Sequence, residues 1–336
     1  MKSQNSLWTG LIGAIGMIVL ILDAKTALSG ALDGISLCLN TVIPSLFPFF
    51  VFSILLNSTL TGTQLNALHP VGKLLGIPAG MESLLLLGFM GGYPVGAQCI
   101  TEAYKNERIT QTDAHRLLGF CSNAGPAFIF GMGSCLFEQK WILWILWGIH
   151  ILSALVIGFI LPQKGHRFCS LPQSDRLTIS QALEKGIRTI ASVCGWIILF
   201  RVFLAFLQRW FLWLTANEVQ VFLVGLMELS NGCCRLIEIT SSGTRFVMFA
   251  GILGFGGACV AMQTASVTNG LGTGLYFPGK IMQGSISVLI SYFLQAILFQ
   301  PSHRCSAWPL YFSITATVGF LWILLISKKK RVAISC

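Results

Sequence analysis

The chain of 336 residues is 54% hydrophobic and only 10% charged, and its mean hydropathy is +0.75. A water-facing surface of this length needs far more charge than 22 basic and 12 acidic residues supply, so soluble enzyme folds are excluded. The net charge of +10 does not indicate nucleic acid binding, because the basic residues are scattered between apolar runs. The composition therefore predicts an all-α polytopic membrane protein, a single integral membrane domain over 1–336 in a lipid bilayer.

Ten apolar segments follow one another, each long enough for about one crossing of a ~30 Å hydrocarbon core. They cover 7–23, 41–58, 82–100, 117–137, 141–161, 189–210, 217–235, 246–270, 276–300 and 308–327. The first is interpreted as an uncleaved helix, because Asp23 to Thr26 do not form a small-residue cleavage site. The stretches 31–40 and 182–190 mix polar and apolar residues at helical spacing, which predicts two interfacial helices.

Weak internal similarity indicates a duplication, with repeat 1 over 31–161 and repeat 2 over 182–300. The similarity rests on three short matches that occur in the same order in both halves. They pair 31–35 with 182–187, 88–90 with 225–227, and 118–120 with 253–255.

The basic residues favour a topology in which two of the segments do not cross. If all ten segments cross, nine basic residues fall on one side and twelve on the other, which gives no orientation. If 117–137 and 246–270 are re-entrant hairpins, the division becomes fourteen to seven and predicts that both termini are cytoplasmic. Turn residues at 122–126 and 256–258 suit hairpin tips. The prediction is about eight crossing helices and two re-entrant helical hairpins, with the second repeat inverted, which is a transporter architecture.

The tip of the first predicted hairpin contains a Gly-Pro pair, Gly125 and Pro126. Proline suits the first helical position, so a helix is expected to begin there at mid-membrane, with free N–H groups that favour an anion. Ser122 and Asn123 would add side-chain hydrogen bonds. The alternative is a kinked crossing helix.

Two further helices are predicted to be unwound near the midplane of the membrane. Gly91 to Gly96, which include Tyr93, interrupt the third segment, and the repeat counterpart contains Glu228, Ser230 and Asn231. Irregular backbone at this depth must face protein or a wet cavity, so the breaks should face the hairpin tips. The alternative is that these glycines only allow close helix packing.

Glu228 is the only acidic residue between Val219 and Cys234, and a charge at a helix centre costs roughly 2.5 to 3.5 kcal/mol on insertion scales. It is either a coupling-ion or proton site or a neutral carboxyl bonded to broken backbone. Arg201 could be its counter-ion, could bind a substrate carboxylate, or could snorkel to the interface. Gln263 would complete a polar cavity.

The chain lacks motifs for enzymatic chemistry. No nucleophile elbow, Walker loop or metal-ligand spacing occurs, so no enzyme activity, metal or cofactor is predicted. The lone His150 on an apolar helix is expected to have a structural partner.

Four motifs in order carry a family resemblance: GGYPVGA at 91–97, CSNAGPAFIFG at 121–131, GLMELSNG at 225–232 and GFGGACVAMQ at 254–263. They resemble the YlbJ/SpoVV family of sporulation integral membrane proteins, over about 42–282. That family belongs to the nucleoside-recognition or gate-domain group, which is similar to parts of nucleoside transporters and ferrous iron permeases. The resemblance implies passage of dipicolinate into the developing spore. Gln98 stands where a basic residue is expected.

The leading hypothesis is transport of a small anionic aromatic metabolite across a bacterial membrane, such as that of the forespore. The alternatives are a nucleoside-like solute carrier and a non-transporting assembly or signalling component of spore maturation. The predicted substrate-binding residues are Tyr93, Ser122, Asn123, Gly125, Arg201, Glu228, Ser230, Asn231 and Gln263.

Overall fold

A computed structural model of the chain describes residues 2–60, 63–161, 177–211, 214–300, 305 and 307–319. These residues form helices and no strand. The helices are α1 Lys2–Leu22, α2 Ala24–Leu37, α3 Ile43–Leu60, α4 His69–Leu74, α5 Glu82–Met90, α6 Val95–Lys105, α7 Gln111–Leu118, α8 Pro126–Gly133, α9 Trp141–Ile160, α10 Ile179–Trp210, α11 Asn217–Met227, α12 Leu229–Arg235, α13 Ser242–Phe255, α14 Gly257–Val267 and α15 Tyr276–Leu298.

Several helices are long and apolar enough to span a membrane, which agrees with the predicted all-α membrane class. Judged by length and composition, five candidate spans lie in the described part of the chain: Ala24–Leu60, Trp141–Ile160, Ile179–Trp210, Ser242–Val267 and Tyr276–Leu298. A turn of π-helix, Cys38–Val42, joins α2 and α3 into one run, and a further helical stretch covers 308–319. The part of the predicted last segment after 319 lies outside the described residues.

Two long helical runs pack side by side in opposite directions. Helix α10 lies along α2 and α3, with Arg209 Nε 3.1 Å from Asp23 Oδ2 at one end and Gly186 against Val51 towards the other. We call these the Arg209 end and the Lys185 end of the molecule.

The two predicted interfacial helices are therefore wrong, because 31–40 and 182–190 lie inside these long runs. Two of their polar residues contact neighbouring helices. Asp33 pairs with Arg201 of α10, and Thr189 accepts a hydrogen bond from Gln98 of α6. The amphipathic spacing marked contacts between helices.

Helices α5 and α6 form a hairpin that begins and ends at the Lys185 end. A Cβ added to Gly96 would lie 3.2 Å from the Cα of Gly88, so the two arms are in contact across the break between them. At the end of α6, Glu102 Oε1 lies 3.2 Å from Lys185 Nζ. The prediction that 82–100 crosses is therefore wrong.

Helices α11 and α12 form a second hairpin, which begins from the Arg209 end. Gly232 of α12 lies directly against Gly225 of α11, and an added Cβ would be 2.6 Å from the Gly225 nitrogen. The segment 217–235 thus folds back on itself at Glu228.

The segment 117–137, predicted as a hairpin, instead passes along the whole of α9. Arg116 Nη2 donates to the Gly158 carbonyl oxygen (2.7 Å) near the end of α9, whereas Gly133 packs against Leu143 near its start. These two positions on α9 are about 15 residues apart, or ~22 Å. The residues at 122–126 therefore break a helix that continues onward, as in the kinked alternative.

The segment 246–270 behaves in the same way. Phe246 packs against Phe299 just after the end of α15, with ring centroids 5.6 Å apart. Leu271 and Leu275, which precede α15, both bond to His115 of α7. The chain between them runs from the Arg209 end to the Lys185 end, so this second predicted hairpin is also wrong. Turn residues show where a helix stops but not which way the chain leaves.

The same order of elements occurs twice with the ends exchanged. A hairpin, a broken helix and a straight helix make up α5 to α9 from the Lys185 end, and α11 to α15 from the Arg209 end. The repeat limits 31–161 and 182–300 and the count of eight crossings stay predictions.

The revised contacts also change the division of basic residues. Lys105 and Arg108 join Lys185 at one end, although the fourteen-to-seven count placed them on the opposite face. Several basic residues of that count lie outside the described residues, namely Lys164, Arg167, Arg176, Arg304 and 328–331. The orientation of the termini stays a prediction.

Cysteine labelling can test the corrected path of 117–137. With the exposed Cys135 and Cys234 replaced by serine, a cysteine introduced at Glu107 and one introduced at Lys140 should react with an impermeant maleimide from opposite sides of the membrane. A cysteine at Lys73 should label from the same side as one at Glu107. If the cysteines at positions 107 and 140 react from the same side, the segment 117–137 is a re-entrant hairpin, and its observed contacts along α9 are contradicted.

Candidate functional site

The helix breaks meet around a cavity of about 30 Å³. This volume has room for roughly one or two water molecules. Its polar or backbone lining comes from both halves of the chain: Gly92 and Tyr93 of the first hairpin, Ala124 and Gly125 before α8, Glu228 and Ser230 of the second hairpin, and Gln263 of α14. The predicted unwinding near Tyr93 and at Glu228 is confirmed, and the breaks do face one another.

Glu228 lies at the break between α11 and α12 and is 1% exposed. Its Oε1 accepts from the Ser230 backbone N–H (3.1 Å), and its Oε2 accepts from the Asn231 backbone N–H (2.7 Å) and side-chain Nδ2 (2.6 Å). A break inside a buried helix frees N–H groups that must find acceptors, and this carboxyl supplies them. The geometry matches the reading of Glu228 as a group bonded to broken backbone.

Arg201 does not pair with Glu228. Its Nη2 lies 3.1 Å from Asp33 Oδ2 on α2, and its side chain is 20% exposed. The predicted counter-ion role is therefore wrong, and its contact with a substrate stays a prediction.

Asn123 lies next to the cavity but its side chain faces another cluster. Its Nδ2 donates to the Phe120 carbonyl oxygen (2.6 Å), and its Oδ1 accepts from Lys280 Nζ (2.9 Å) and Gln283 Nε2 (2.9 Å). The expected single cavity of Asn123, Asn231, Glu228 and Gln263 is thus only partly found. Glu228 and Gln263 line it, and Asn231 contacts it through Glu228.

Helix α8 begins at Pro126 with Gly125 as its cap residue, as the Gly-Pro pair predicts. The backbone N–H of Ala124, freed by the break, donates to His150 Nε2 (3.1 Å) on α9. His150 is 1% exposed, and its expected structural role is confirmed by this bond. The neighbouring Ser122 hydroxyl is buried without a hydrogen-bond partner.

Lys280 was missed as a site residue, because the charge count assigned it to one face of the membrane. It lies in α15, is 2% exposed and bonds to Asn123 and Gln283 at the core of the protein. The spacing of Lys280, Gln283, Ser287 and Ser291 places them on one face of a helix, and this polar stripe in an apolar segment was the available indication.

A larger vestibule of about 530 Å³ opens at the Lys185 end. Four basic residues line it, Lys105, Arg108, Lys185 and Arg188, together with Glu102 and several neutral polar residues. Its inner wall includes Val95 and Gln98 of α6, about one turn beyond Tyr93 of the cavity. The vestibule therefore approaches the cavity along α6.

The chain is similar in sequence to a known membrane protein. No family model matches the chain, and no solved structure matches it. A curated relative, the sporulation integral membrane protein YlbJ of Bacillus subtilis (strain 168), is 25% identical over 321 aligned residues, covering 80% of this chain and 78% of the relative. This similarity, which extends over most of the chain, supports the resemblance to the YlbJ family. The relative is an integral membrane protein, and the long apolar helices of this chain agree with the same class.

Proposed function

We propose that this chain transports a small anionic aromatic solute across a bacterial membrane during sporulation, with dipicolinate as the candidate implied by the family resemblance. The observation that carries the proposal is the cavity at which the helix breaks of both halves meet. Broken helices from two inverted halves that meet at the membrane midplane are the common design of secondary transporters. Membership of the gate-domain group belongs to the same proposal.

The vestibule supports an anionic solute. Its four basic side chains outnumber the two carboxylates that pair with them, Glu102 with Lys185 and Glu184 with Arg188. Its potential therefore favours anions at the mouth of the path to the cavity. We place the Lys185 end on the cytoplasmic side together with both termini, and the labelling experiment reports this orientation directly.

Flux into proteoliposomes tests the function. Purified full-length protein should give saturable uptake of radiolabelled dipicolinate that exceeds both protein-free liposomes and uptake of uridine. Uptake of uridine alone would favour a nucleoside-like carrier, for which Glu228 and Gln263 would suit neutral polar groups. Flux of neither solute, in protein that remains folded, would favour a non-transporting component of spore maturation.

Removing charge from the vestibule should slow uptake of an anion. Replacing both Lys105 and Lys185 with Gln is expected to lower the initial uptake rate about 3- to 10-fold at low ionic strength, because steering of the anion is lost. Salt screens such effects, so the difference should shrink at 0.5 M NaCl. The control is Lys73→Gln, because Lys73 is exposed and lies outside the vestibule. This substitution should leave the uptake rate unchanged. Equal rates for all variants at low salt would exclude the vestibule as the entrance.

A further inference from the structure

Lys280 is a buried lysine with neutral partners. Its Nζ donates to Asn123 Oδ1 (2.9 Å) and Gln283 Oε1 (2.7 Å), and lies 5.1 Å and 5.9 Å from the ring centroids of Tyr93 and Tyr276. Among the residues that the structure describes, no carboxylate pairs with it.

This environment compensates only part of the cost of burying an ammonium group. The effective penalty for one buried ion is still several kcal/mol, and two amide oxygens and two ring faces offset a fraction of it. A buried charge in proteins is normally paired, so a counter-charge is the missing component.

Two hydroxyl groups beside Lys280 also lack partners. The Tyr93 hydroxyl is buried without a hydrogen bond, and the Tyr276 hydroxyl has as its polar neighbour the Thr264 hydroxyl of α14, which is itself unpartnered. Buried polar groups are rarely left so. Both tyrosine hydroxyls lie close to Gly256, at 3.0 Å and 3.6 Å from an added Cβ, and therefore converge on the start of α14. The first N–H groups of a helix favour negative charge.

We propose that Lys280 and the hydroxyls of Tyr93 and Tyr276 bind the carboxylate group of an organic acid at the start of α14. A carboxylate has only acceptor oxygens, and this cluster offers the two tyrosine hydroxyls, the third N–H of Lys280 and a positive charge. Tyr93 also lines the central cavity, so the same side chain contacts both that cavity and Lys280. The site joins the two helix breaks of the first half, at Tyr93 before α6 and at Asn123 before α8, to α14 and α15 of the second. The inference rests on the proposed transport function and specifies which group of the solute is bound.

Binding to full-length protein in nanodiscs tests this site. The probes are pyridine-2,6-dicarboxylate and its uncharged analogue pyridine-2,6-dicarboxamide, measured by calorimetry. Lys280→Met should weaken binding of the dicarboxylate about 10- to 100-fold and leave the dicarboxamide unchanged, as expected for loss of a charge-assisted contact. Lys73→Met, which removes an exposed charge, should bind both probes like the wild type.

Tyr93→Phe separates a binding role from a structural one. In the unliganded protein this hydroxyl has no partner, so its removal should leave the melting temperature unchanged or higher. Affinity for the dicarboxylate should nevertheless fall about 3- to 10-fold. This variant also decides the question if Lys280→Met does not fold.

Unchanged dicarboxylate affinity in Lys280→Met or in Tyr93→Phe would overturn the site, as would equal wild-type affinity for the two probes. Flux measured in parallel separates this result from failure of the transport function. If the wild-type protein transports dipicolinate and Lys280→Met binds it with unchanged affinity, the proposed function stands but this site does not. If binding depends on Lys280 but the protein gives no flux, the site is supported and the proposed transport function is contradicted.

Discussion

Gly232→Ala is expected to destabilise the protein by about 3 kcal/mol or more. The added methyl group would meet the Cα and nitrogen of Gly225, which are backbone atoms of the facing hairpin arm and cannot rotate away. The two arms of the α11–α12 hairpin would separate, and Glu228 at its tip would lose its position in the cavity. Overpacking against backbone costs more than overpacking against a flexible side chain because nothing can relax locally.

Thermal unfolding in detergent, followed by size-exclusion chromatography, measures this effect. Gly148→Ala is the matched control, because Gly148 lies in α9 with nothing within 4 Å of an added Cβ. Both substitutions improve helix propensity by up to ~1 kcal/mol, so their difference isolates the clash. A Gly232→Ala protein as stable as Gly148→Ala would show that the hairpin arms do not approach so closely.

Glu228→Gln is expected to abolish most uptake and to cost about 1–3 kcal/mol of stability. A carboxylate accepts on both oxygens, whereas an amide has one acceptor, so one freed N–H at the break, that of Ser230 or Asn231, would face another donor. An amide also cannot take up or release a proton during a transport cycle. Uptake by folded protein should fall about 10-fold or more, which corresponds to ~1.4 kcal/mol in a rate-limiting barrier.

Glu82→Gln is the control for Glu228→Gln. Glu82 is also fully buried and also accepts a backbone N–H, that of Gly80 (2.8 Å), but it pairs with His69 and lies outside the cavity. The stability of the Glu82→Gln protein should drop by a similar amount, while its uptake per folded molecule stays near the wild-type value. Equal losses of uptake in both variants would assign Glu228 a purely structural role.

The positions at which helices break were predictable from the sequence, but their directions were not. Gly-Pro and Gly-Gly pairs, together with a lone Glu228, mark places where the backbone cannot continue as helix. Whether the chain then turns back or continues depends on what it packs against, such as Gly88 against Gly96 or Arg116 against Gly158. The contact of Arg116 joins residues 42 positions apart in the chain, and local patterns carry no information about such a contact.

Some residues of the candidate site were likewise predictable from the sequence, and others were not. Tyr93, Gly125, Glu228 and Ser230 were predictable because each is a polar or turn residue at a helix break, and Gln263 because it is polar within an apolar segment. All five line the cavity. Arg201 was misassigned because its partner Asp33 lies in a helix interpreted as interfacial. Lys280 was missed because a lysine near the start of a segment normally indicates a membrane surface.

For the transport that we propose, the exchange of ends between the two halves has an energetic consequence for its direction. In a second conformation, the α11–α12 hairpin would make the contacts that the α5–α6 hairpin makes now. Such a conformation would open a path to the cavity at the Arg209 end. If two such arrangements differ in free energy by no more than a few kcal/mol, both are populated. A solute held with equal affinity in each shifts neither population. The concentrations on the two sides would then decide which way the solute moves, and the same protein would fill or empty a compartment.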